Sequence, residues 1–320
     1  MSALDLSTPV VGATITLRVG TPVGDVSVVG VVVAVSDETW WIRRRDGSVT
    51  EVAVRAIQAR RDVPPSPAQR ASVAEVQQAG ALGWRALETA RLGDWLLRAG
   101  GGFTGRANSA LAIGDPGRPL PEALATAEAW YTERDLPPRL QLPDPGGTQG
   151  LRELLGQRGY GWSRPVHVMT AELGHVLRAA DARSPGAADV RLDEAPDDAW
   201  LAAYRREGGP LPDAARDVLT NHPAVIFASV RVADRAVAVA RVAVDGRWAG
   251  LSAVEVASDH RRRGLAIQVS AAALRWAGIR GARQVYLQTE VHNTAAVMLY
   301  RSLGFGVHHD YSYANAQGPH

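Results

Sequence analysis

One stretch of this chain is built for anion chemistry. Arg261-Arg262-Arg263-Gly264-Leu265-Ala266 sets three guanidiniums before two small residues, at the start of an alanine-rich run reaching Ile279. Such a run reads as a helix. A helix N-terminus leaves about four N–H groups unpaired and carries the positive end of the helix dipole, which together bind phosphate. Gly264 and Ala266 lack bulk, so a diphosphate can approach the backbone closely. Read alone, the segment is equally a capped helix behind a solvated arginine run.

The flanking elements decide how that corner is held. Val225 to Val232 reads as a strand, and Ala233-Asp234-Arg235 turns it into Ala236 to Val244. Asp245-Gly246 is a strong hairpin signal leading into Trp248 to Val256. The predicted helix from Leu265 follows, ended by Gly281, then a strand over Gln284 to Thr289. A second helix, about Thr294 to Leu303, stops at Gly304, and a last strand begins at Phe305.

Two gapped motifs in this region resemble the Gcn5-related N-acetyltransferase (GNAT) superfamily. Its pyrophosphate-loop pattern is met by Val256, Arg261, Gly264 and Ala266, with Ser258 where a proline is usual. Its second signature is met by Asn293, Ala296, Leu299, Tyr300, Leu303, Gly304 and Phe305. The resemblance covers about residues 185–315. It implies an α/β (α+β) GNAT fold, a mixed, mostly antiparallel sheet flanked by helices, and an acetyl-CoA-dependent acyltransferase. It also implies that the thioester enters between splayed strands. Backbone from Val254 to Val256 would contact pantetheine, Arg261, Arg262, Arg263, Gly264, Leu265 and Ala266 would hold the pyrophosphate, and Asn293 would steady the cofactor.

A leaving thiolate needs a proton donor within reach, and the phenol of Tyr300 supplies one. The plain alternative is a tyrosine on a core-facing stripe with Val297, Leu299 and Leu303. For the base that takes the amine proton, Glu255 ranks above Glu290, then His292. One branch of the superfamily uses the position matching Gln288, which cannot serve. Any of these carboxylates could equally be a solvated or paired charge. His308-His309-Asp310 is read as a strand edge rather than a metal site, because adjacent strand residues point oppositely. No metal is expected.

Shifted back by about 145 residues, the same elements recur: a helix over Leu120 to Arg134, a strand over Arg139 to Leu142 and a helix over Gln149 to Gln157. The chemistry is missing from this copy. Pro116, Pro119 and Pro121 stand where Arg261, Gly264 and Ala266 do, and proline has no N–H. Leu155 matches Tyr300 and Thr148 matches Asn293. A degenerate second copy is expected, with Gly100 to Gly102 and Arg106 to Asn108 at the acceptor wall.

The first 60 residues read as short β-strands: Thr14 to Val19, Val26 to Val35, Thr39 to Arg44 and Val49 to Val54. Four or five strands in that length predict a small SH3-like barrel, with one of Trp40 and Trp41 inward and the other partly exposed. Proline-rich Val63 to Pro67 and the stretch Asp181 to Asp189 divide the chain. The expected units are 1–62, a barrel; 68–180, a degenerate GNAT-like domain; and 185–320, a catalytic GNAT domain.

Composition closes off other chemistries. The chain has 320 residues, 46% apolar and 21% charged, the balance of a globular protein. All 35 basic residues are arginine, which excludes Schiff-base lysines and lysine phosphate loops; zero cysteines exclude thiol nucleophiles and cysteine-ligated metals. A net charge of +2 argues against a nucleic-acid partner. With no export or membrane segment recognised, a cytoplasmic location is expected. The expected acceptor is a primary amine on a small molecule, an amino acid such as glutamate, or a peptide; arginine-rich acceptor walls would favour an acidic one. The alternative is a non-catalytic acyl-CoA-binding sensor. The sequence fixes neither the acceptor nor the oligomeric state.

Overall fold

The structure is a computed structural model that describes residues 8–9, 13–44, 48–62, 66–183, 188–204 and 211–316. The first segment forms β1 (Thr14–Thr21), β2 (Gly24–Val35), β3 (Thr39–Arg43), β4 (Val49–Ala53) and β5 (Ile57–Asp62). They make an antiparallel sheet in the order β4-β3-β2-β1-β5. Alternation turns Ile15, Leu17, Val28, Trp40 and Ile42 into one shared core, while Trp41 is half-buried. Among the described residues β4 and β5 do not pair, so no closed barrel forms.

After α1 (Pro67–Arg70) and α2 (Val73–Gly83), the middle segment runs β6 (Glu88–Leu92), β7 (Trp95–Ala99), β8 (Ala110–Leu111), α3 (Leu120–Thr132), β9 (Arg139–Asp144), α4 (Leu151–Gln157), β10 (Gly161–Trp162), β11 (Val166–Glu172) and α5 (Leu173–Arg183). The last segment runs β12 (Val190–Asp193), α6 (Asp198–Ala203), α7 (Ala215–Thr220), β13 (Val225–Val232), β14 (Arg235–Asp245), β15 (Trp248–Val256), α8 (Leu265–Ile279), β16 (Gln284–Glu290), α9 (Thr294–Ser302) and β17 (Gly306–Asn315).

Both later segments share one twelve-stranded sheet, ordered β12-β13-β14-β15-β16-β11-β17-β9-β8-β7-β6, with β10 paired to β17. Among the described residues only β15–β16 and β8–β9 are parallel, each pair bridged by a long helix, α8 or α3. The final strands are exchanged. β11 lies between β16 and β17, with Val168 opposite Gln288 on one side and His309 on the other. β17 in turn pairs with β9, Tyr313 opposite Gln141. Residues of the middle segment therefore stand beside β15 and β16.

β14 explains why the sheet is dry on both faces. Its alternating side chains supply Ala238, Ala240 and Val242 to the core under α8, and Ala236, Val239 and Ala243 to the core under α6 and α7. Arg241 interrupts this apolar run and is fully buried.

The histidine pair departs from the sequence reading. β17 is an interior strand, and its pairing with β11 shifts register so that Val168 faces His309 and Met169 faces Val307. His308 is the extra residue, a β-bulge. The bulge breaks strict alternation, and the two rings meet, Nδ1 to Nδ1 at 2.7 Å. His308 Nε2 also reaches the carbonyl of Ala71, and His309 Nε2 the side chain of Gln77. No helix among the described residues is long and apolar enough to cross a membrane.

Candidate active site

The pairing of β15 with β16 runs from Trp248 opposite Gln284 to Leu251 opposite Leu287 and then stops. Beyond it the two strands part, and a cavity of about 460 Å³ opens between them. A bulge in β15 helps to open it. Ala253 takes φ +53°, and the register against β14 shifts there, Ser252 facing Arg241 and Glu255 facing Val239. A positive φ at alanine is strained backbone and clusters at functional sites.

Val254, Glu255, Glu290, Asn293 and Tyr300 all line the cavity. Tyr300 is 7% exposed, edge-on to Phe305, and its hydroxyl makes no hydrogen bond among the described residues. Burial, with the negative charge of Glu255 facing it, raises its pKa, so the phenol keeps its proton at neutral pH. Glu290 is half-exposed and lies 3.0 Å from His292 Nε2. Asn293 does two things: its side chain caps α9 by accepting the N–H of Ala296 at 3.2 Å, and it borders the cavity. Gln288 also lines the cavity, its Oε1 accepting the Tyr311 hydroxyl at 3.0 Å.

Val256 at the end of β15, Arg261, Arg262, Arg263 and Gly264 in the loop after it, and Leu265 and Ala266 at the start of α8 do not line the cavity. Arg261 folds back to the carbonyl of Val256 at 3.3 Å, and Arg263 bonds the carbonyl of Asp259 at 3.1 Å. Arg235 pairs with Asp259 at 2.9 Å and braces the loop from the hairpin before it. All three loop arginines are exposed. Gly264 is the N-cap of α8 with φ +75°, and no side chain caps this helix. The N–H groups of Ile267 and Gln268 turn to the carbonyl of Gly264, and among the described residues those of Leu265 and Ala266 are left open. In the middle segment, the loop before α3 is bonded to itself. Asp94 accepts the N–H of Asp115, and Asp115 accepts that of Gly117, both at 2.8 Å. Pro119 stands at the N-cap of α3 with φ −52°, where Gly264 has a positive φ; α3 too has no side-chain cap.

The wall facing β15 and β16 comes largely from the middle segment. Thr104, Gly105 and Arg106 line it, joined by Arg139 at the start of β9 and by Tyr311 and Tyr313 of β17. Asn108 builds this loop, accepting the N–H groups of Gly100 and Gly102 and donating to the carbonyls of Phe103 and Thr104. Asn108 and Gly100 to Gly102 are therefore scaffold, while Arg106 reaches the cavity. Arg106 lies over the ring of Trp84 at 4.3 Å, and Arg241 lies 4.8 Å from the same ring. Sequence reasoning missed Trp84, Arg139, Arg241 and the β17 tyrosines. Arg241 did carry a signal, as a charge inside an otherwise apolar strand.

The chain is similar to known proteins in sequence and in fold. The family described as "Probable histone acetyltransferase Rv0428c C-terminal" matches residues 70–314. "Probable histone acetyltransferase Rv0428c" of Mycobacterium tuberculosis is 33% identical over 328 residues, spanning 98% of this chain and 97% of that protein. "Uncharacterized N-acetyltransferase YobR" of Bacillus subtilis is 27% identical over 239 residues, 73% of this chain and 94% of its own length. A solved GCN5-related N-acetyltransferase from Kribbella flavida has the same fold, with a TM-score of 0.58 at 20% identity over 80% of this chain and 98% of that one. The chain belongs to the family of the Rv0428c C-terminal region, of the GNAT type, and is an N-acetyltransferase.

Proposed function

We propose that the protein transfers acetyl from acetyl-CoA to a primary amine, on a small molecule, an amino acid or a peptide, by direct attack in a ternary complex. The observation that carries this reading is the joint presence of Tyr300 and Glu255 at the gap between β15 and β16. The chain fits the co-substrate. The uncapped first turn of α8 and the exposed Arg261, Arg262 and Arg263 suit a diphosphate, and the parted strands suit a pantetheine arm.

Acetyl-CoA brings the acetyl group already activated as a thioester. Glu255 takes the proton that the amine nitrogen sheds as its bond to the acetyl carbon forms. Tyr300 gives its proton to sulfur as the carbon–sulfur bond breaks, so the products are an N-acetyl amide and CoA thiol. Tyr300 regains a proton from Glu255 or solvent. Backbone at Val254 to Val256 orients the thioester, and Asn293 steadies the cofactor arm. Glu290 is the second choice for the base, because it sits half-exposed beside His292.

The repeated order of elements supports reading residues 68–180 and 185–320 as two copies of one fold. The self-bonded Asp94–Asp115 loop and the prolines support a first copy without cofactor. The first five strands we read as an SH3-like module. Incubating the full chain with acetyl-CoA and a panel of amines, and following free CoA, tests the activity. Release that depends on amine is expected; an acetyl-CoA-binding protein with no turnover would instead be the sensor.

A further inference from the structure

Charge is distributed unevenly around the cavity. The side formed by β15 and β16 carries the carboxylates Glu255 and Glu290, and the facing wall carries the guanidiniums Arg106 and Arg139. Two more guanidiniums lie close by, Arg98 on β7 and Arg241 on β14 opposite Ser252, the latter against the same Trp84 ring as Arg106. Arg98 is 2% exposed and Arg241 is 0% exposed. Buried charges are ordinarily paired, because removing an ion from water costs several kcal/mol. Neither arginine has a carboxylate within ion-pair distance among the described residues. Arg98 donates to the carbonyl and hydroxyl of Ser109 and to Gln141 Oε1. Arg241 donates to the carbonyls of Leu219 and Gly83, and its Nη2 is buried with no hydrogen-bond partner.

Both buried charges feel Arg106, whose repulsion adds to burial in lowering their pKa values, Arg241 to about 10. Arg106 itself makes no hydrogen bond or ion pair among the described residues; its one partner is the face of Trp84. The loop that presents it is held in a strained form, with Thr104 at φ +62°. Trp84 Nε1 bonds the Thr104 hydroxyl at 2.9 Å, so the ring that seats Arg106 also ties down its loop. Arg139 donates to Asn315 Oδ1 at 2.7 Å, so four guanidiniums gather around this end of the cavity with only neutral partners among the described residues.

We propose that the amine acceptor also carries a carboxylate, received by Arg106 with Arg139 beside it, while its amine faces Glu255. This inference rests on acetyl transfer taking place in the cavity. An amino acid or small amino acid-like molecule fits both poles at once, anion to the arginine wall and ammonium to the glutamates. A lysine-rich tail would bring its own positive charges to the same wall.

The test uses the full chain with acetyl-CoA and follows CoA release. The acceptors are the twenty amino acids and short ω-amino acids, each set against its carboxamide, together with a lysine-rich peptide. At least one acid should exceed its own amide by tenfold or more in kcat/KM. Arg106→Gln should bring that acid down to the level of the amide, and Arg106→Lys should restore part of the preference. Amides equal to acids, a peptide preferred over every amino acid, or a preference untouched in Arg106→Gln would overturn the inference and leave the acetyltransferase reading standing. Tight acetyl-CoA binding without turnover of any carboxylate-bearing amine would also overturn it. Failure of acetyl-CoA to bind at all would instead strike the reading beneath it.

Discussion

Leu251 and Leu287 are the last residues at which β15 and β16 are paired, and both line the candidate active site that opens there. Parallel strands joined through a helix have no reason to part unless something spoils the ladder. Here the Ala253 bulge does so on β15, while β16 stays paired to β11 on its other edge as far as Glu290. The cavity is thus a consequence of strand pairing.

Gly264 gives the first prediction. Its φ of +75° is open to glycine and costs a β-branched residue about 1–2 kcal/mol. Gly264→Val should pull the first turn of α8 out of line. The KM for acetyl-CoA should rise tenfold or more, with a much smaller fall in kcat. A KM within twofold of the parent would contradict the assigned diphosphate cradle.

Tyr286 gives the second. Its hydroxyl bonds the carbonyl of Ala79 at 3.0 Å, and a Cβ on Gly83 would come 2.1 Å from that oxygen but 3.4 Å from the ring carbon bearing it. Gly83→Ala should destabilise the fold by about 1–3 kcal/mol. Tyr286→Phe removes the clashing atom, so the double variant should recover part of the loss, a coupling above about 1 kcal/mol in a denaturation cycle. At Gly250 the ring carbon itself would be 2.5 Å away, so Gly250→Ala should gain no such relief. Simple additivity at Gly83 would contradict this packing.

Much of the last segment could be read from sequence because its signals are local. Asp245-Gly246 marks the β14–β15 turn, and the alanine run from Leu265 to Ile279 is α8 to the residue. Partnership is different in kind. The last strand from Phe305 is legible in the sequence, but the strand over 166–172 is not, nor that each lies next to the other segment's strands. Hence the arginine wall, built by loop 100–108 and β9 and brought to the gap by that exchange, was only half seen. His308 and His309 were misread because a bulge, invisible in the residue pattern, cancels alternation.

The buried histidine gives the third prediction. Burial, with His308 beside it, pushes His309 down from 6.5 to about 3. Below about pH 6.5 the unfolded chain takes up a proton that the folded chain refuses. Stability from this group is complete above that pH and falls as the solution is acidified, by about 1 kcal/mol at pH 5.5. Melting temperatures from pH 7.5 to 5.5 should show the decline, and His309→Asn should flatten it. An unchanged slope in the variant would remove His309 as its source.

Tyr300 gives the last and most direct prediction. Its hydroxyl has no hydrogen bond to lose among the described residues, so Tyr300→Phe should melt close to the parent. With the chemistry in the gap, kcat for CoA release should fall about 100-fold at saturating acetyl-CoA and acceptor, while the KM for acetyl-CoA stays within threefold. A variant with the parent's kcat, or one that loses only acetyl-CoA affinity, would contradict Tyr300 as the proton donor to the departing sulfur.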